Sequence, residues 1–196
     1  MNQTTSSLAG NPAGFIGGGQ LGYNFQNGWA VYGIEADIQG SSFRSTQTAA
    51  LAPAGFAPFT TSATQQLDMF GTVRGRVGFT PTPALLLYGT GGLAYGDERL
   101  SATDFGTAAG CSPAGHICTN GSSNGVRAGW TAGAGLEYAL NSYWHNWSLK
   151  VEYLYYDLGT RTFTLTDVFG RFPGTFQTYS DAFKGNIVRA GVNYKF

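Results

Sequence analysis

The sequence predicts an all-β chain, an antiparallel up-and-down transmembrane β-barrel of the eight-stranded type with seven strands readable. Three observations carry that expectation. Seven segments alternate between apolar and polar side chains with a period of two, as a strand does when one surface is greasy and the other wet. Only 11% of the residues are charged, against a usual share of roughly 25%, so something other than charge must cover the surface. The connections alternate between short and long, as in barrels that pair short periplasmic turns with long external loops.

The segments follow in order. Residues 13–26 place Phe15, Leu21, Tyr23 and Phe25 opposite Gln20 and Asn24. Residues 29–39 set Ala30, Tyr32, Ile34, Ala36 and Ile38 against Glu35, Asp37 and Gln39. Residues 67–80 set Met69, Val73, Val77 and Phe79 against Asp68, Thr72, Arg74 and Arg76. Residues 84–97 are nearly all small or apolar, which leaves their facing open. Residues 126–140 set Trp130, Ala132, Ala134, Leu136 and Tyr138 against Arg127, Thr131 and Glu137. Residues 146–158 set Trp147, Leu149, Val151, Tyr153 and Tyr155 against Lys150 and Glu152. The last segment, 186–196, sets Val188, Ala190, Val192, Tyr194 and Phe196 against Arg189, Gly191, Asn193 and Lys195.

Asn27-Gly28 is a two-residue hairpin signal, Thr80–Pro83 a short proline turn and 141–145 another short link. Residues 40–66, 98–125 and 159–183 are the long external connections. Within the last of them, 161–169 and 175–183 also alternate, which predicts a hairpin rising above the membrane.

Composition bounds the function. Eleven basic residues balance eleven acidic ones, so no net field would draw nucleic acid or an anionic membrane surface. Thirty glycines, eleven tyrosines and fourteen phenylalanines suit tight curvature and interfacial girdles. No run of 18 apolar residues is present to form a transmembrane helix, a test that strands, being only half apolar, do not face. The first twelve residues have neither a basic start nor an apolar core, so no leader is read in them. Seven strands would also leave the first and last parallel, whereas bacterial single-chain barrels use even numbers. The expectation is therefore an amino-terminally truncated chain, with residues 1–12 the remnant of an external loop and 13–196 the barrel domain.

Together these segments resemble a known group. VYGIEADI (31–38), GTVRGRVGF (71–79), YGTGGLAYG (88–96), GWTAGAGLEYAL (129–140), VEYLYYDLG (151–159) and VRAGVNYKF (188–196) look like the alphaproteobacterial small outer-membrane β-barrel proteins of the "porin family". The resemblance runs in order over about residues 13–196. It implies an eight-stranded, OmpA-like barrel in the Gram-negative outer membrane, with surface antigens and a few haemin binders among its members. It also implies that the terminal aromatic, Phe196, is a signal to the outer-membrane assembly machinery. The signal peptide and the first strand of the W-x-G-x-Y-x-G kind that such proteins carry are absent from this chain.

The polar face poses the functional question. Glu35, Asp37, Glu137 and Glu152 meet Arg74, Arg76, Arg127, Lys150, Arg189 and Lys195 on the inferred inner surface. Side chains fill a lumen as narrow as eight strands allow, and buried charges of mixed sign must pair. An interior network plugging the barrel is the first expectation, and a selective pore lined by the same charges is the alternative. A soluble lipocalin-like barrel would have to turn the aromatic face inward, where several Trp and Tyr side chains could hardly fit. Tyr23, Trp29, Trp130, Tyr138, Trp147, Tyr194 and Phe196 lie near strand ends and read as a girdle at the headgroup level.

Smaller features remain open. Cys111 and Cys118 form a local disulfide or stay free thiols, and a zinc site would want closer spacing and more ligands than His116. His116 and His145 are the two histidines, and His116 could offer an axial ligand to haem or be a simple solvated loop histidine. Phe56, Phe59, Phe172 and Tyr179 could stack an aromatic ligand. No nucleophile-base grouping or metalloprotease motif is legible, and Gly89-Thr90-Gly91-Gly92 precedes no helix, so neither an enzyme nor a cofactor is expected. Membrane lipid is the expected partner, and the partner of the external loops is unknown.

Overall fold

The alternating segments form strands, and the strands outrun the alternation that announced them. The computed structural model describes residues 3–6, 14–51, 59–106, 117–140, 146–167 and 177–195. Seven long strands follow one another: β2 (Ile16–Asn27), β3 (Ala30–Leu51), β4 (Phe59–Thr82), β5 (Leu85–Gly106), β6 (Ile117–Ala139), β7 (Trp147–Asp167) and β8 (Gln177–Tyr194). Each pairs antiparallel with the next. A four-residue strand, β1 (Gln3–Ser6), lies parallel to the start of β8, with Gln3 opposite Gln177. The sheet order is β1-β8-β7-β6-β5-β4-β3-β2. Among the described residues no helix occurs, and no ladder joins β2 to β1 or β8.

Strands β3 to β7 run 21 to 24 residues, about twice the 9–11 needed to cross a bilayer. This corrects the expected long loops. The ranges 40–66, 98–125 and 159–183 are largely strand: β3 continues to Leu51 and β4 begins at Phe59, so only the tips lie outside the described residues. The physical reason is composition. Along these arms Thr46, Thr48, Ser62, Thr64, Ser101, Thr103 and Ser122 keep the backbone extended and paired, and they interrupt the few apolar residues such as Leu100 and Ala102 too often for a period of two to show. The hairpin expected within 159–183 is present as the arms of β7 and β8.

At the opposite rim the turns are tight. Asn27 pairs with Ala30, so the two-residue loop is Gly28-Trp29, one position later than the Asn-Gly signal suggested. Of these two residues only Gly28 has positive φ (61°), as a type II′ turn requires at its first central residue. Thr82 pairs with Leu85 around Pro83-Ala84.

The two surfaces sort cleanly. Outward and exposed are Leu21, Tyr23, Ile34, Ile38, Val73, Val77, Leu93, Val126, Leu136, Leu149, Val151, Val188 and Val192. An apolar side chain such as Val188, 74% exposed, is costly in water and comfortable in lipid. Residues 84–97, whose facing the sequence left open, turn Tyr88 and Ala94 inward and Leu93 outward. Inward lie Glu35, Asp37, Thr72, Arg74, Arg76, Lys150 and Glu152, all buried, and above them a group of apolar side chains.

Candidate functional site

The strand period builds the site. On β3 and β4, Glu35 pairs with Arg74 and Asp37 with Thr72 across the ladder, so side chains of opposite character meet on the inner face. On β7 and β8, Glu152 sits opposite Arg189 in the same way. Curvature of the sheet then brings these three pairs together across the interior.

Arg74 is the centre. Its Nη2 contacts Glu35 and lies 3.1 Å from Asp37 Oδ2, while Nη1 lies 3.1 Å from Glu152 Oε1. Its Nε donates to Thr72 Oγ1 at 2.8 Å, and Thr72 in turn donates to Asp37 at 2.7 Å. Arg189 mirrors this from the far side, with Nη2 at 3.0 Å from Asp37 and Nε donating to Glu152 at 2.7 Å. Lys150 Nζ reaches Glu35 at 3.2 Å and also donates to Gln20 of β2, whose amide donates to Asn193 of β8. Nearer the tight turns, Arg76 donates to Glu137 at 3.0 Å, and Ser148 donates to the other oxygen of that carboxylate at 2.5 Å. Tyr88 closes the group: its hydroxyl donates to Glu152 at 3.0 Å and its ring lies 3.9 Å beneath the Arg76 guanidinium.

Four carboxylates, Glu35, Asp37, Glu137 and Glu152, thus face four cations, Arg74, Arg76, Lys150 and Arg189, and the layer is neutral. Charges buried this deeply persist only when paired and hydrogen-bonded. Two residues expected in this group are elsewhere. Arg127 lies further along, 3.4 Å from Glu98, and donates to the Thr160 carbonyl at 2.8 Å. Lys195 is exposed, and its backbone N–H donates to the Asn146 carbonyl at 2.8 Å.

Directly beyond the charged layer, away from the tight turns, lies a second layer that the sequence expectation missed. Phe43, Leu67, Phe70, Ala94, Leu154, Tyr156, Leu158, Phe183 and Ile187 form one buried apolar cluster inside the barrel. Phe70 and Tyr156 meet with ring centroids 5.1 Å apart, and Phe183 continues the stack at 6.1 Å. Gly96 makes room for it, since a Cβ there would come within 2.7 Å of Leu67 and 3.3 Å of Leu158. The signal was present in β7: after Glu152 the inner positions become Leu154, Tyr156 and Leu158, so from Tyr153 to Tyr156 both faces are apolar.

The expected girdle residues Tyr23, Trp29, Trp130, Tyr138 and Tyr194 all face outward and are exposed. Trp147 packs edge-on against Tyr194 at 5.1 Å, and Trp130 tilts against Tyr155 at 5.3 Å. Cys111, His116, His145, Phe56, Phe172 and Phe196 lie outside the described residues, as do the side chains of Cys118, Phe59 and Tyr179. The disulfide, haem and stacking expectations therefore fall there.

Comparison with known proteins agrees with this architecture. The family described as "Outer membrane protein beta-barrel domain" matches residues 1–196. A "31 kDa outer-membrane immunogenic protein" of Brucella melitensis is 42% identical over 196 residues, covering 99% of this chain and 71% of the relative. A "22 kDa outer membrane protein" of Rhizobium leguminosarum bv. viciae is 30% identical over 181 residues, covering 91% of this chain and 66% of its own. A "25 kDa outer-membrane immunogenic protein" of Brucella abortus is 28% identical over 199 residues, covering 100% and 73%. No solved structure gives a significant match. A sheet with lipid-suited residues outside, paired charges inside and this kinship is that of an outer-membrane β-barrel, and the chain belongs to the outer membrane protein β-barrel domain family.

Proposed function

We propose that this chain is a structural and surface-interacting outer-membrane barrel whose lumen is plugged, with its long hairpin arms directed outward. The observation that carries the reading is the stacking of the two layers. A neutral, ion-paired charge network lies against a cluster of buried Phe, Tyr, Leu and Ile side chains. An ion moving along the axis would have to break salt bridges and then cross an apolar layer with no water to solvate it. A pore needs the charges of its constriction free to meet solvent, whereas Arg74 and Glu152 are each at most 1% exposed.

The orientation follows from the short turns at one rim and the long arms at the other. The Brucella relatives carry the word "immunogenic" in their names, which fits arms that reach the cell surface. Lipid is the partner of the outward face, its Trp and Tyr side chains the interfacial anchors, and the terminal strand the contact for the assembly machinery. The test is planar-bilayer conductance of refolded protein. A plugged lumen gives no steady current for the natural chain, and none for Glu137→Ala. Steady single-channel currents whose size or ion preference shifts in Arg74→Ala or Glu137→Ala would replace the plug with a narrow porin.

A further inference from the structure

The outer wall of the arms carries a second arrangement, separate from the lumen. Cross-strand register aligns Arg44 with Gln66, Gln66 with Arg99 and Arg99 with Asn124, one row over β3, β4, β5 and β6. The next row outward is Thr46, Thr64, Ser101 and Ser122. Alternation on each strand points these side chains away from the lumen, because Ser45, Gln65, Leu100 and Ala102 between them are buried inside. All of the first row and Thr64, Ser101 and Ser122 of the second, with Leu100 and Ser123 between them, line a groove of about 250 Å³ whose walls include both arginines and no carboxylate.

Its height is informative. Asn124 stands two residues beyond the exposed Val126, and Arg99 four beyond Tyr95. At about 3.3 Å per residue, the row begins roughly 7–13 Å along the strands past Val126 and Tyr95, the height expected of headgroups. Arg44 is exposed and has no ion pair or hydrogen bond among the described residues. The Arg99 Nε lies 2.8 Å from Asp68, which itself accepts from Gln66, and the Arg99 side chain remains 62% exposed. The nearby outward acids, Asp68 and Asp97, lie outside the groove lining. Two strand spacings separate the arginines by about 10 Å.

We propose that this groove binds the phosphorylated sugar headgroup of outer-leaflet lipopolysaccharide, with Arg44 and Arg99 on phosphate and Gln66, Ser101, Ser122 and Asn124 on sugar hydroxyls. Guanidinium groups suit phosphate through paired N–H donors, and a bed of hydroxyl and amide groups suits a sugar. A lipid whose acyl chains lie along the apolar band below would present its phosphates at this level. The proposal rests on the outward direction of the arms and not on the state of the lumen, so conductance and headgroup binding fail independently.

The test is a titration of the refolded full chain in neutral detergent with labelled lipopolysaccharide, and with the same lipid after enzymatic removal of its phosphates. The natural chain is expected to prefer the phosphorylated form at least tenfold. Arg44→Gln combined with Arg99→Gln is expected to remove that preference while keeping the shift in gel mobility between unboiled and boiled protein. Lys184→Gln, an outward change on β8, is expected to leave it intact. Inorganic phosphate at millimolar concentration is expected not to displace the lipid. Undiminished preference in the double variant, equal binding of the dephosphorylated lipid, an equal loss in Lys184→Gln, or displacement by free phosphate would each overturn the proposal.

Discussion

Arg74 touches three carboxylates from two strands, Glu35 and Asp37 on β3 and Glu152 on β7. Its removal leaves these three buried carboxylates one cation short, with Lys150 and Arg189 as their remaining partners nearby. Arg74→Ala should therefore destabilise the folded protein by about 3–5 kcal/mol, the usual result of breaking a buried pair from one side. Urea unfolding in detergent micelles, followed by tryptophan fluorescence, measures this, and a loss under 1 kcal/mol would show the layer to be solvated. Tyrosine-glycine pairs form a second residue-scale device. Tyr88 lies over Gly135, its direct cross-strand partner, and Tyr156 lies over Gly185 in the same way. A Cβ at Gly135 would come within 2.5 Å of the Tyr88 ring and hydroxyl. Gly135→Val should push Tyr88 off Glu152 and cost about 1–3 kcal/mol as overpacking, whereas the same change at Gly191, where a Cβ meets nothing within 4 Å, should cost much less in the same assay.

Among the elements, β7 shows what alternation reveals and what it hides. Its outward Leu149, Val151, Tyr153 and Tyr155, and its inward Lys150 and Glu152, were legible because the two faces differ in polarity. Leu154, Tyr156 and Leu158 were not, because apolar residues stand on both faces there and a period of two disappears. The arms were hidden for a different reason, since small polar side chains fill their outer face and stand beside Phe43, Leu100 and Ala102 on the inner one, which blurs the same signal. Phe70→Ala should lower stability by about 3–5 kcal/mol, the cost of emptying a buried aromatic site, although Phe70 lies in no charge network. Hydrogen exchange checks the arms. Backbone amides of Gln65, Gln66, Leu100 and Ser101 should be protected as ladder amides are, and exchange at the rate of free peptide would return these segments to loops.

For the whole molecule, the outer surface divides into an apolar band below and polar arms above. An arginine placed on the band meets hydrocarbon, while one on the arms meets water. Val73→Arg should cost about 2–4 kcal/mol and Ser101→Arg less than about 1 kcal/mol, measured as refolding free energies into lipid vesicles. Equal costs would place the band elsewhere. Strand identity, strand order and the partition of Glu35, Asp37, Arg74, Arg76, Lys150, Glu152 and Arg189 to one face were determined by the sequence, because a pleated strand sends alternate side chains to opposite sides whatever surrounds it. Only the tertiary structure decided which charges meet across the lumen, which withdrew Arg127 and Lys195 from the group and added Tyr88 and Thr72. It also decided that Phe43, Phe70, Tyr156 and Phe183, from four separate strands, close over that group as one apolar layer. Those contacts depend on curvature and on register between strands far apart in the chain, and period-two alternation within one strand carries neither.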